Sequence, residues 1–144
     1  MEPGLTLIIA EKPSVASDLT KVLGGKFTKE KTHYTSERYI VSWALGQLVT
    51  IAYPGEMNER DKRWSLSSLP ILPSPFELKP IASTKSQLTA LGKLIRRKDI
   101  TTIINACDAG REGELIFHYI LDYETRKTGL ANKQLKRMWM QSMT

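Results

Sequence analysis

Acidic residues cluster at one junction of the chain, where a run of β-branched residues gives way to a helical pattern. Asp108 and Glu112 lie four positions apart within the segment 105–114, which follows the apolar run 101–104. The apolar residues of 115–121 then recur at helical spacing, so the acids fall where a strand ends and a helix begins. Open α/β sheets usually place their chemistry at such junctions.

The binding of a hard cation is the chemistry that these residue types favour. Mg²⁺ accepts one or two carboxylates, with waters and substrate phosphates completing its coordination. Gly110 and Gly113 are expected to loosen the turn, so that Asp108 and Glu112 converge on one ion. A helix whose acidic first turn only complements the helix dipole has the same sequence pattern. The spacing of the acids alone does not distinguish it from a metal site.

Two other loops that bind ions or phosphates are excluded by neighbouring residues. An EF-hand beginning at Asp108 needs a bidentate glutamate at its twelfth position, which Tyr119 occupies here. A P-loop ends in Gly-Lys-Ser or Gly-Lys-Thr, and neither 105–114 nor 24–27 has that ending. Calcium binding and nucleotide hydrolysis of these two types are therefore not expected.

A second charged strand end lies near the start of the chain. Glu11 and Lys12 follow the apolar run 5–10 and precede a helical pattern that begins at Pro13. Parallel neighbouring strands would bring this pair to the acidic junction, so that three carboxylates and one ammonium share a crevice. Considered alone, Glu11 and Lys12 are more typical of an exposed polar pair.

Length and composition indicate a single α/β domain in a reducing compartment. The chain has 144 residues, and its one cysteine, Cys107, cannot form an internal disulfide and is interpreted as a packing residue. No apolar run approaches the roughly 18 residues of a membrane span, and no leader pattern is present, which predicts a cytoplasmic protein. The net charge of +6 favours an anionic partner, with nucleic acid as the first candidate.

The remaining segments predict a β-rich middle followed by two helices and a final strand. Segments 39–43 and 47–51 are predicted to pair across a turn at Gly46, and the prolines of 53–75 predict an extended loop. Four further elements are expected: a strand at 76–81, a helix with an apolar stripe from Leu88 to Ile95, a helix from the acidic junction to about Lys127, and a strand at 135–140.

These segments in this order resemble the Toprim domain of type IA DNA topoisomerases, in the version found in bacterial topoisomerase III. The resemblance rests on two apolar strands, one followed by Glu11-Lys12-Pro13-Ser14 and the other by Asp108-Ala109-Gly110-Arg111-Glu112-Gly113-Glu114. Segments 45–48, 69–73 and 136–144 support it. It implies a Rossmann-like, mostly parallel sheet flanked by helices, with a β-rich insertion. Residues 1–144 would form one Toprim domain, the N-terminal part of a larger multidomain topoisomerase.

The resemblance also implies an activity, the Mg²⁺-dependent cleavage and religation of one DNA strand by transesterification. Glu11 matches the acid that manages the proton of the sugar hydroxyl, and Lys12 matches the cation on the scissile phosphate, where charge develops. Glu11, Asp108 and Glu112 would hold Mg²⁺. Arg111 matches the arginine of the metal motif. The resemblance implies that it is catalytic together with Glu11 and Lys12, and that it contacts DNA together with Lys12.

The chain departs from the family pattern in two ways. Gly110 stands where the metal motif has its middle aspartate, which predicts a single, weakly held Mg²⁺ that binds well only with DNA phosphate present. The family's nucleophilic tyrosine lies in a later domain, and none of the tyrosines here matches its motif. This chain alone is therefore expected to be inactive in strand cleavage. Its expected partners are a single-stranded DNA segment and the remaining domains of the parent enzyme.

Two alternative functions stay open. A Toprim-type nuclease or primase-like phosphoryl-transfer domain needs no tyrosine, because its metal activates water or a nucleotide. The basic charge and Gly110 also suggest a non-catalytic DNA-binding module, whose DNA binding would be salt-sensitive and indifferent to Glu11 and Asp108.

Overall fold

The computed structural model describes residues 4–45, 48–51, 66, 78–108, 110–126, 129–130 and 133–139, in which strands alternate with helices. The elements in chain order are β1 (Leu5–Ala10), α1 (Pro13–Leu23), β2 (Thr28–Lys29), β3 (His33–Thr35), β4 (Tyr39–Trp43), β5 (Val49–Ile51), β6 (Leu78–Pro80), a 3₁₀ turn (Ala82–Thr84), α2 (Lys85–Ile95), β7 (Ile100–Ala106), α3 (Arg111–Thr125) and β8 (Gln134–Arg137).

A six-stranded sheet with the order β2-β3-β4-β1-β7-β8 forms the centre of the domain. Strand β1 is parallel to both of its neighbours, β4 and β7, and β8 is parallel to β7. Strands β2, β3 and β4 pair in antiparallel fashion. The mostly parallel sheet that the sequence predicted is confirmed.

Helices cover both faces of this sheet, as the continuous apolar sequence of β1 requires. Leu7 and Ile9 belong to the core beneath α2 and α3, whereas Ile8 and Ala10 pack with the apolar face of α1. All four side chains are fully buried. Strand β1 is therefore packed between two strands and between two helical layers. The backbone at its C-terminal end, where Glu11 follows, is fixed by these contacts.

The predicted helices are present with the expected apolar faces. Helix α1 ends at Gly24 and Gly25, whose φ angles of 73° and 80° lie in the left-handed region that favours glycine. The stripe from Leu88 to Ile95 is buried in α2. Within the part of the chain that the structure describes, no helix combines the length and apolarity needed to cross a membrane.

The predicted pairing of segments 39–43 and 47–51 is wrong. Both form strands, but β4 is paired with β1 on one edge and with β3 on the other. With both edges occupied, β4 has no backbone groups left for another strand, and β5 instead pairs with β6 in a separate two-stranded antiparallel sheet. The turn at Gly46 and the loop predicted at 53–75 lie outside the described residues, apart from exposed Leu66.

Candidate functional site: a pair of carboxylates at adjacent strand ends

The register between β1 and β7 brings the two charged strand ends together. Ala10 lies opposite Ala106 in this parallel pair, so Glu11 and Asp108 emerge at the same edge of the sheet. The sequence predicted this meeting from the expectation that the two strands are parallel neighbours. The site is thus built on the ends of two buried strands, which fix the backbone on either side of it.

The carboxyl groups of Glu11 and Asp108 interact, and this interaction affects the pKa of Glu11. The pKa of Glu11 is raised, first by burial, then by its hydrogen bond with the Asp108 carboxyl and by the negative charges of Asp108 and Glu112. A hydrogen bond from the backbone amide of Asp108 lowers this pKa and offsets part of the effect. A cation bound beside the two carboxylates would relieve the repulsion that raises the pKa of Glu11.

Glu112 affects Glu11 only through its charge, so the structure does not bring the three predicted carboxylates, Glu11, Asp108 and Glu112, together around one ion. Glu112 is exposed in the first turn of α3, where an acid also complements the helix dipole. Among the described residues, no three Asp, Glu, His or Cys side chains gather closely enough to ligate one metal. Glu11 and Asp108 interact as a pair, and two carboxylates fit Mg²⁺ when waters and phosphate supply its other ligands.

Two exposed cations flank the carboxylates. Lys12 lies at the N-cap of α1 in an extended conformation, and its carbonyl accepts a hydrogen bond from Ala16 at 3.2 Å. Arg111 is the first residue of α3. Neither side chain forms an ion pair or hydrogen bond with another residue of the described ranges. Both are therefore available to an anion that approaches this edge of the sheet.

The two glycines near the acids have different roles, and the expectation that both loosen the turn is wrong. A Cβ atom on Gly113 would lie 2.1 Å from the carbonyl oxygen of Asp108, so this glycine lets the Asp108 peptide pack tightly against α3. Gly110 has an extended backbone with φ of −124°, and its Cβ would meet nothing within 4 Å. An aspartate at position 110 is therefore sterically acceptable.

Cys107 is enclosed in the core, in agreement with its interpretation as a packing residue. Its side chain is fully buried, and its Sγ lies 3.8 Å from the carbonyl oxygen of Ile9. Burial, followed by the negative charge of Glu11, raises the pKa of the thiol to about 12. The reactive thiolate is thus strongly disfavoured at neutral pH.

Arg137 is a site residue to which the sequence analysis gave no role. Its Nη1 donates to the carbonyl oxygens of Asn105 at 3.2 Å and Cys107 at 2.5 Å, and its Nη2 donates to that of Asp108 at 2.7 Å. The same Nη2 lies 2.6 Å from a carboxylate oxygen of Glu114. The only available signal was that Arg137 lies within the strand predicted at 135–140.

The raised pKa of Glu11 predicts that Glu11→Gln stabilises the metal-free chain at neutral pH. Because the folded state holds this proton more tightly than the unfolded state, stability is lost as pH rises from the ordinary value of 4.5 through the raised pKa. The gain in unfolding free energy at pH 7 is expected to stay below about 1 kcal/mol, since the pair is partly solvated. Urea unfolding at pH 7 and near pH 3.5 measures it.

The difference between Glu11→Gln and the unmodified chain should disappear at the lower pH, where Glu11 is protonated in both states. Glu37→Gln, at an exposed glutamate on another part of the surface, controls for the substitution itself. A stabilisation by Glu11→Gln of equal size at both pH values would show that charge repulsion is not its cause.

Comparison with known proteins identifies the family. The family model described as "Toprim domain" matches residues 6–143. The chain is 45% identical to "DNA topoisomerase 3" of Bacillus cereus, 43% to that of Bacillus licheniformis and 41% to that of Bacillus subtilis, in each case over 96% of the chain. It spans only 18% of the length of these relatives. By its sheet, its strand-end acids and this match over nearly its whole length, the chain belongs to the Toprim domain family.

Proposed function

We propose that this chain is the Mg²⁺-dependent catalytic subdomain of a type IA DNA topoisomerase of the topoisomerase III kind, which cleaves and religates one DNA strand. The observation that carries the proposal is the pairing of Glu11 with Asp108 at adjacent strand ends, beside Lys12 and Arg111, two exposed cations without an ion-pair partner among the described residues. The relatives named DNA topoisomerase 3 support it, because the sequence similarity extends over 140 residues of this chain.

Each residue has a role that follows from its charge and position. Asp108 and Glu11, with Glu112 nearby, would hold Mg²⁺, which supplies charge neutralisation at a DNA phosphate. Lys12 would donate to the scissile phosphate, where negative charge accumulates during transesterification. Glu11 would pass a proton to the departing sugar oxygen, a task for which a carboxyl with a raised pKa is suited. Arg111 would contact the DNA backbone.

The nucleophile is proposed to lie outside these residues. In the proposed reaction the hydroxyl oxygen of a tyrosine from another domain gives up its proton and bonds to phosphorus, the phosphorus–oxygen bond to the sugar breaks, and the sugar oxygen leaves as a hydroxyl after it receives a proton from Glu11. Residues 1–144 would then be a single Toprim domain at the N-terminal end of a larger, cytoplasmic, nucleoid-associated enzyme. The short span relative to the Bacillus proteins agrees with this proposal. A single-stranded DNA segment and the remaining domains would be its partners.

DNA binding and strand cleavage by the chain itself test this function. We expect a fluorescent single-stranded oligonucleotide to bind more tightly with Mg²⁺ than without, and this gain to disappear in Glu11→Gln. Supercoiled plasmid should remain intact, because the proposal places the nucleophilic tyrosine in another domain. Mg²⁺-dependent nicking by the chain would overturn the proposal in favour of a nuclease. Binding that depends on salt but not on Mg²⁺ or Glu11 would indicate a non-catalytic DNA-binding module.

The open space at Gly110 predicts that Gly110→Asp strengthens Mg²⁺ binding by about tenfold, equivalent to about 1.4 kcal/mol. An aspartate there fits the extended backbone without a clash and adds a carboxylate close to Asp108. Isothermal titration with MgCl₂ measures the affinity. Gly110→Asn, which has the same shape without the charge, is the control, and an equal gain in that variant would contradict an additional carboxylate ligand.

A further inference from the structure

The carbonyl groups that follow β7 lie beyond the regular sheet and need other donors. Strand β7 ends at Ala106, and the next carbonyls, those of Cys107 and Asp108, lie beyond its paired residues. Arg137 ends β8, opposite Asn105 in the parallel register, and its side chain is only 18% exposed. Its guanidinium donates to both carbonyls and to that of Asn105. A single side chain thus caps the end of the strand that carries the site.

The Asp108 peptide is held from two sides. On one side its carbonyl oxygen lies in the space left by the missing Cβ of Gly113, and on the other it accepts a hydrogen bond from Arg137. Glu114 ties the guanidinium to α3, and the ring of Trp139 lies 5.8 Å from the guanidinium carbon. These contacts fix the peptide from which the Asp108 side chain projects toward Glu11.

We propose that Arg137 is a positioning residue, which fixes the Asp108 peptide so that the Asp108 carboxylate meets Glu11 and a cation bound between them. The metal part of this proposal rests on the proposed function. The planar guanidinium is suited to the task, because its fixed fork of N–H groups reaches several carbonyls at once. A lysine would keep the positive charge but lose the fork.

The sign of the change in metal affinity separates positioning from simple electrostatics. Arg137 is a positive charge close to the carboxylates, so its Coulomb effect alone weakens cation binding. Removal of this charge would then strengthen binding. If Arg137 acts by holding Asp108 in place, its removal weakens binding instead, although the repulsive charge has gone.

The hydrogen bonds themselves can be tested without metal, by NMR of the isotope-labelled chain. We expect separately resolved, exchange-protected Nη protons for Arg137 in the unmodified chain. In Arg137→Lys, the carbonyl ¹³C resonances of Asn105, Cys107 and Asp108 should shift, and those of β4 should not. The matched control Arg126→Lys, at an exposed arginine after α3, should leave all of them in place. Rapidly exchanging Arg137 protons, or unshifted carbonyls in Arg137→Lys, would overturn the proposal.

Metal affinity supplies the functional readout, with Mn²⁺ as the probe in a titration followed by electron paramagnetic resonance. Arg137→Met and Arg137→Lys should each weaken Mn²⁺ binding by about tenfold, the usual cost of losing a residue that orients a ligand. Glu114→Gln leaves the carbonyl contacts intact and should change the affinity by less than about threefold. Unchanged or tighter binding in Arg137→Met would overturn the positioning role.

Failure of the positioning proposal and failure of the proposed function appear in different measurements. If the unmodified chain bound no Mn²⁺, with or without a single-stranded oligonucleotide, the proposed metal chemistry would be overturned. The positioning proposal would then be overturned with it, while the NMR experiment would still decide whether the hydrogen bonds exist. If the unmodified chain binds Mn²⁺ and the two Arg137 variants bind it equally well, only the positioning proposal fails.

Discussion

Replacement of Asp108 by alanine is expected to weaken Mg²⁺ binding to this chain by at least about tenfold. Asp108 interacts with Glu11, and its peptide is held between Arg137 and Gly113, so its carboxylate projects from a fixed backbone at the sheet edge. Loss of one contact between a carboxylate and a divalent ion removes more than the roughly 1.4 kcal/mol that corresponds to a factor of ten. Isothermal titration with MgCl₂, with and without a single-stranded oligonucleotide, measures the change.

A matched control for Asp108→Ala is Asp122→Ala, which removes the same side chain from an exposed position on α3 near Arg126. That variant should bind Mg²⁺ like the unmodified chain, because it lies away from the strand ends. A second readout follows from the coupling between the two acids: without Asp108, the pKa of Glu11 should fall toward its ordinary value. Undiminished Mg²⁺ binding in Asp108→Ala would refute the assignment of the metal site.

Replacement of Gly113 by alanine is expected to lower the unfolding free energy by about 2–3 kcal/mol, the usual cost of forcing atoms into a filled space. The new Cβ would lie 2.1 Å from the Asp108 carbonyl oxygen and 2.9 Å from the backbone nitrogen of the same residue. Backbone atoms held by Arg137 cannot move aside as the end of a flexible side chain can. Urea unfolding followed by circular dichroism measures the loss.

The control for Gly113→Ala is Gly110→Ser, three positions earlier on the same turn. Its added side chain meets open space, and serine is a favoured N-cap residue, so its stability should stay within about 0.5 kcal/mol of the unmodified chain. If the Gly113→Ala chain does fold, its Mg²⁺ affinity should also fall, because the Asp108 peptide must shift. Equal stability of the two variants would show that the turn adapts without cost.

Patterns that are local in sequence predicted most of the fold. Apolar segments and the glycines that end helices are visible in the sequence itself, and they located β1, α1, α2 and β7. The pairing of Glu11 with Asp108 followed from one further rule, that the carboxyl ends of parallel neighbours meet. That rule required the assumption that β1 and β7 are neighbours in the sheet, and the observed register between them confirms this assumption.

The features that the sequence did not reveal depend on atoms from distant parts of the chain. The hairpin prediction for β4 and β5 failed because the sequence does not show that β3 occupies an edge of β4. The tight packing at Gly113 depends on the path of the Asp108 carbonyl, which no residue pattern encodes. The contacts of Arg137 arise from the pairing of β8 with β7, and a lone arginine in a strand does not indicate which carbonyls it will meet.

The parallel pairing of β1 with β7 also has a kinetic consequence. Roughly a hundred residues of chain separate Glu11 from Asp108, so the loop that joins them must close before the two strands can pair. Contacts of such long range form slowly, whereas α1 and the antiparallel strands β2, β3 and β4 need only local contacts. The amino-terminal half can therefore gain structure during synthesis, but the acid pair appears only after β7 has been made. Recovery of cation binding during refolding would then report the completion of the central sheet.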